Sequence, residues 1–254
     1  MGGQTRGFCK YCGKEYTRGG MLRHLNACTE RKKALAAETG KRRCGYYELL
    51  LAGRYDRDYW LIIEIRETAT LRDLDQFIRD IWVECCGHLS EFNICGERYE
   101  AFPDEGLFWD EPAMSMDVKL SSIFSPGMEF TYEYDFGSTT ELTVKVQDYR
   151  TGVWKKDEVT ILSRNNPPEI LCSVCGNKPA KWVNPEVVYG GYPFLCEECA
   201  NKDDADGESA ENEYEEEWTE EAFFLPVCNS PRMGICGYEG SEKYPDQFVP
   251  DGKR

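Results

Sequence analysis

Two sets of four thiol or imidazole side chains, one near the start of the chain and one toward its end, constrain this sequence most. The first is Cys9-x2-Cys12 followed by His24-x3-Cys28, and the second is Cys172-x2-Cys175 followed, twenty residues on, by Cys196-x2-Cys199. Each set supplies the four soft or borderline donors of a closed tetrahedral site, so two structural Zn²⁺ ions are the expected cofactors. The second set has the ordinary spacing of a zinc ribbon or treble clef. In the first, eleven residues separate Cys12 from His24, one short of the usual finger window, and the last ligand is a cysteine. Phe8, Tyr16, Met21 and Leu22 fall where a ββα finger places its small core. Closed four-donor sites hold a fold together and leave no coordination position for catalysis.

The metal sets absorb seven of thirteen cysteines and one of two histidines. Cys44, Cys85, Cys86, Cys95, Cys228 and Cys236 remain. Paired CxxC spacings with no apolar leader segment point to a reduced, cytoplasmic setting. No run of apolar residues is long enough to span a membrane, so no membrane association is expected. Charge is divided along the chain. Residues 1–43 carry eleven Lys or Arg against three Asp or Glu, a balance of +8, so the remainder carries −24 of the overall −16.

Composition shifts divide the chain into five parts: a basic Cys₂-His-Cys finger with a helical extension (1–43), an α+β body (44–160), a Cys₄ module (168–200), an acidic linker (201–222), and a tail (223–254) that packs back on the body. The extension, beginning at Thr29, is rich in Ala, Leu, Glu and Lys, with Gly40 as its C-cap. In the body, Tyr46–Gly53 and Tyr59–Arg66 are β-rich runs around a polar turn and predict a hairpin. Thr70 with Asp73 predicts a capped helix, whose apolar stripe runs through Leu71, Leu74, Phe77, Ile78, Ile81, Trp82 and Cys85. Leu89–Cys95, Glu129–Tyr134 and Glu141–Asp148 read as strands, and Val118–Phe124 as a short helix. The fold class is therefore α+β: a compact mixed or antiparallel sheet with helices, plus two small zinc-binding modules.

Leu71–Trp82, then His88-Leu89-Ser90-Glu91-Phe92-Asn93-Ile94, Val118-Lys119-Leu120 and Tyr132-Glu133-Tyr134-Asp135-Phe136-Gly137 occur in an order that resembles the open-reading-frame-three-like family named from an Ri plasmid. That family is also labelled insertion-element passenger or TnpR-type proteins. The resemblance covers about residues 45–150, and the Asn229–Tyr238 segment is similar to the ending of longer members. It implies a few helices on a mixed or antiparallel sheet, an uncharacterised activity and a positional association with mobile elements. Where many members continue Tyr-Asp-Phe-Gly with Asp-x-Trp-x-His, this chain has Ser138, Thr140 and Leu142, which weakens any catalytic role carried over by analogy.

Arg18, Arg23, Arg31, Lys32, Lys33, Lys41, Arg42 and Arg43 form a cationic cluster suited to DNA or RNA phosphates. The reading is then a zinc-binding, nucleic-acid-associated adaptor or scaffold. One rival is a metal-dependent nuclease or recombinase-like enzyme around Asp135, His88 and Glu133. Another is a module that contacts only a protein partner. No residue is assigned as catalytic: His88 is expected to be structural, Asp135 to cap a turn, and Cys228 and Cys236 to belong to a tight turn with no histidine to activate them.

Overall fold

The computed structural model describes residues 4–103, 113–187, 193–206 and 223–251. The finger opens with β1 (Arg6–Phe8) and β2 (Glu15–Thr17), followed by α1 (Arg18–Ala27) and α2 (Thr29–Ala36). The body supplies β3 (Arg43–Gly53), β4 (Trp60–Arg66), α3 (Leu71–Ile78), β5 (Ser90–Ile94), β6 (Glu97–Glu100), β7 (Met114–Ser115), β8 (Glu129–Tyr134), β9 (Thr140–Val153) and β10 (Val159–Arg164). The Cys₄ module contains β11 (Trp182–Val183), β12 (Phe194–Leu195) and α4 (Glu197–Asp206), and β13 (Leu225–Pro226) follows.

Among the described residues, eight strands form one sheet in the order β10-β4-β3-β9-β8-β5-β6-β7, antiparallel except for the β6–β7 edge pair. The α+β class with a large mixed sheet is borne out. The hairpin forms as β3 and β4, and both strands are almost wholly buried. They need cover on both faces, which explains their near-continuous apolar sequence. On one face α3 lays down Leu71, Leu74, Phe77 and Ile78, and the π-helical turn Arg79–Val83 adds Ile81 and Trp82 against Leu49, Leu51, Ile63, Tyr132 and Val144. The capping box forms as its residues predict: the Thr70 hydroxyl accepts from the Asp73 N–H, and the Thr70 N–H donates to the Asp73 carboxylate.

Several local expectations change. The helical extension stops at Ala36, not at Gly40. Glu38 is drawn into ion pairs with Arg150 and Lys155, and the chain must straighten to enter β3, so Lys41–Arg43 are not helical. Of Val118–Phe124 only Leu120–Ser122 turns, as 3₁₀, because Val118 and Lys119 spend their backbone bonds on the start of α3. Leu225–Pro226 pairs with β11 of the Cys₄ module. The segment from Cys228 packs on the body, where Asn229 bonds Asn165 and Ser230 bonds Trp82. Of the acidic linker, 207–222 lies outside the described residues.

The finger covers the other face of the β4 region. Met21, Leu25, Cys9 and Cys28 share one apolar cluster with Ala52, Trp60, Ile62 and Leu162. The Lys10 N–H donates to the Leu162 carbonyl, and the Ser163 hydroxyl donates to the carbonyl of Phe8. Gly7 lies so close to β10 that a Cβ there would collide with the Arg164 carbonyl oxygen and the Trp60 ring. Gly7→Ala should therefore lower stability by about 1–3 kcal/mol. Hydrogen exchange should show the added opening concentrated in 5–28 and 160–166.

Candidate metal centres

The N-terminal donors converge through a ββα turn. Cys9 and Cys12 lie on the β1–β2 knuckle, where the Gly13 N–H donates to the Cys9 carbonyl, and His24 and Cys28 come from α1 and its end. The Cys12 sulfur lies 3.2 Å from His24 Nε2, and the Cys9 and Cys28 sulfurs are 4.0 Å apart. Tyr16 stacks on the His24 ring at 4.2 Å and fixes its rotation. Burial, with Lys14 nearby, holds the imidazole below its ordinary pKa and favours the neutral form a metal requires. Cys28 also accepts from the Arg31 N–H and caps α2, so this ligand ties the finger to its extension.

In the second cluster Cys172 and Cys175 sit on one knuckle, and Cys196 and Cys199 at the start of α4. Burial opposes ionisation of Cys172, but the backbone N–H groups of Cys175, Cys196 and Val174 point at its sulfur and bring the thiol down to about 6. Preformed N–H···S contacts of this kind orient a thiolate for metal. Leu195, Ala200, Trp182 and Phe224 pack around the sulfurs and form most of the module's small core.

A third convergence was not anticipated. Cys85, Cys86, His88 and Cys236 bring their ligand atoms within 4.8 Å of one another, the same closeness that the other two clusters have. Sequence reading placed Cys85 in the core stripe, His88 as a structural histidine and Cys236 in a turn with no histidine available. The structure sets His88 Nε2 3.5 Å from the Cys236 sulfur. The close spacing of Cys85, Cys86 and His88 was the one available signal. Their fourth member is 150 residues beyond Cys86 and invisible to any local pattern.

The Tyr134-Asp135 pair of the family-like motif organises this corner. The Tyr134 hydroxyl donates to Glu84 and accepts from the Cys85 and His88 N–H groups, which sets the 84–88 turn. The Arg79 and Arg232 guanidiniums each lie 4.8 Å from its ring centroid. Asp135, at φ 64°, accepts from Arg232 at 2.6 Å and from the Gly137 and Ser138 N–H groups. Burial raises the Asp135 pKa, but these donors outweigh it and hold the carboxyl below the ordinary range.

The rival catalytic set is only partly assembled. His88 and Asp135 meet at 3.7 Å, whereas Glu133 lies across from Glu91 and Glu141 on the opposite face of β8 from Tyr134. Both oxygens of Asp135 are already engaged. Cys228 is buried, which pushes its thiol up to about 12, so it is no activated nucleophile. A cleft of about 980 Å³, lined in part by Phe77, Asp80, Lys155, Asp157, Arg164 and Tyr244, reaches none of the three clusters.

Of the eight basic positions, Arg23, Lys32, Lys33, Lys41, Arg42 and Arg43 are exposed, and Arg18 is half-buried. Arg31 is a correction. Its guanidinium is buried against Glu48 at 2.7 Å and Glu64 at 2.8 Å, beneath α2, and cannot meet a phosphate. Arg150 holds the second oxygen of Glu64 at 2.6 Å.

The family model described as plasmid pRiA4b ORF-3-like protein matches residues 50–225. Among solved structures, the crystal structure of a protein of unknown function, MM3350, from Methanosarcina mazei Go1 is 24% identical; the match covers 47% of this chain and 68% of that one, with a TM-score of 0.38. No curated protein matches.

Removing Arg31 would leave Glu48 buried without its cation. Arg31→Ala is therefore expected to cost about 3–5 kcal/mol at neutral pH. Burial already raises the Glu48 pKa against the opposing pull of Arg31, and loss of Arg31 raises it further. A carboxyl with a raised folded pKa contributes stability below its unfolded pKa and loses it as pH rises. Urea titrations should therefore show a larger deficit at pH 8 than at pH 5.

Proposed function

The chain belongs to the plasmid pRiA4b ORF-3-like protein family, and on that footing we propose that it is a zinc-stapled adaptor that presents a cationic surface to DNA or RNA. The observation that carries the zinc reading is the convergence of Cys9, Cys12, His24 and Cys28, and of Cys172, Cys175, Cys196 and Cys199, each as four donors within 4.8 Å. Three thiols with one imidazole, or four thiols, suit Zn²⁺ in a closed structural role and leave no position for a reacting water. The metal would hold the finger against β4 and β10, and would give the Cys₄ module the stability its small core lacks. Thirteen free cysteines suit a reducing, cytoplasmic setting. No described helix is long and apolar enough to cross a membrane. A link to mobile elements rests on the plasmid origin of the family name.

The nucleic-acid part of the reading is supported by the exposure of Arg23, Lys32, Lys33, Lys41, Arg42 and Arg43 on α1, α2 and the segment entering β3. The apolar side of α1 is spent on the body, so this finger differs from one that enters a groove freely. Phosphate contact, sequence-independent and salt-sensitive, is the expected mode.

Two measurements test the proposal. Chelation of the purified chain should release zinc from both clusters and lower the melting temperature. Retention of the same melting temperature after metal removal would overturn the structural role. Binding to mixed DNA and RNA should weaken with salt at a slope of about −0.9 for each duplex phosphate neutralised. Reversing Lys32, Lys33, Lys41, Arg42 and Arg43 to Glu should abolish it. Unchanged behaviour after that reversal would transfer the adaptor role to a protein partner.

A further inference from the structure

We propose that Cys85, Cys86, His88 and Cys236 form a third metal centre, which takes a thiophilic divalent cation of the zinc class and clips the C-terminal segment to the body. This goes beyond the two-site reading and stands on separate residues. In a tetrahedral zinc site, metal–sulfur bonds of about 2.3 Å and metal–nitrogen bonds of about 2.0–2.1 Å imply sulfur–sulfur edges of about 3.8 Å and sulfur–nitrogen edges of about 3.6 Å. The Cys86 and Cys236 sulfurs are 3.7 Å apart, and Cys236 lies 3.5 Å from His88 Nε2. These edges agree with the ideal at least as well as the 4.0 Å sulfur–sulfur edges of the other two clusters.

The surroundings fit a charged centre. Three thiolates and a neutral imidazole around a dication carry one net negative charge. Arg232, whose side chain is fully buried, sets Nη2 3.4 Å from the Cys85 sulfur and also meets Asp135, the Ser138 carbonyl, Thr140 and the Tyr134 ring. It donates toward a ligand sulfur from the outer shell, with its charge shared with Asp135. The local backbone is bent toward the same point: Cys236 occupies φ 53°, a left-handed conformation uncommon outside glycine, and Gly87 occupies φ 72°. The Ser230 hydroxyl donates to the Trp82 carbonyl at the end of the π-helical turn, which fixes the 228–238 loop beside Cys85.

Geometry separates this centre from a nucleophilic triad. A triad base takes the proton from its nucleophile on one ring nitrogen and is oriented by a carboxylate on the other. His88 presents the same Nε2 to Cys236 and, at 3.7 Å, to Asp135. A Cys86–Cys236 disulfide would need its sulfurs at about 2.05 Å and would leave Cys85 and His88 without a role.

The deciding experiment compares zinc content, by native mass spectrometry of the full chain purified with zinc and a phosphine reductant, for the natural sequence and Cys86→Ser/Cys236→Ser. Both cysteines are exposed, so the variant should fold. The expected result is one zinc fewer per chain in the variant, together with faster hydrogen exchange over 228–238. His88→Gln, which keeps every thiol, should produce the same loss. Equal zinc in all three proteins would overturn the proposal, as would a two-dalton mass deficit, marking a disulfide, in the natural chain prepared in parallel without reductant. Because the readout is a difference between proteins, it holds whether or not the Cys9 and Cys172 clusters load.

Discussion

The attachment of both flanking segments to the central sheet rests on arginines that have been taken out of water. Arg31 carries α2 down onto Glu48 and Glu64, and Arg232 carries the C-terminal loop onto Asp135. A guanidinium in a dry interior is tolerable only when its charge is paired, and breaking such a pair costs about 3–5 kcal/mol because one charge is left stranded. The geometry required is narrow, so each pair fixes position as well as proximity. The finger cannot slide along β4, and the loop cannot lift from the end of α3, without stranding a charge.

These clamps change what the modules are. A zinc finger that stood free would keep its own small core and both faces of its helix. Here Met21 and Leu25 are shared with Trp60, Ile62 and Leu162, and the candidate ligand Cys28 caps the next helix. The donor cluster and the sheet packing are therefore built from the same residues, so that a metal held there would be coupled to the sheet. The Cys₄ module is less integrated: its cluster is made of its own residues with Phe224, and its link to the rest is a short strand pairing.

The Tyr-Asp-Phe-Gly motif has a physical reading in this setting. Tyr134 orders the turn that carries Cys85, Cys86 and His88, and Asp135 receives the arginine that stands beside Cys85. The motif thus organises a corner where three distant pieces of chain meet. Asp135 is committed to Arg232 and to two backbone donors, a capping and pairing role that engages both of its oxygens. That commitment is why the family resemblance carries fold more firmly than it carries chemistry.

The local features were legible in the sequence because their causes lie within a few residues. The Thr70–Asp73 box, the β3–β4 hairpin and the stripe from Leu71 to Trp82 follow from capping and periodicity, and the first two cysteine clusters from ligand spacing. Register and length were less so: β9 runs to Val153 because β3 offers it partners as far back as Arg43. Two things only the tertiary structure could decide. Arg31 looks like its neighbours Lys32 and Lys33, and only the placement of Glu48 and Glu64 beneath α2 turns it from a surface cation into an anchor. Cys236 joins Cys86 and His88 only because the sheet returns the chain to its own starting corner, and no sequence period encodes a distance closed by topology.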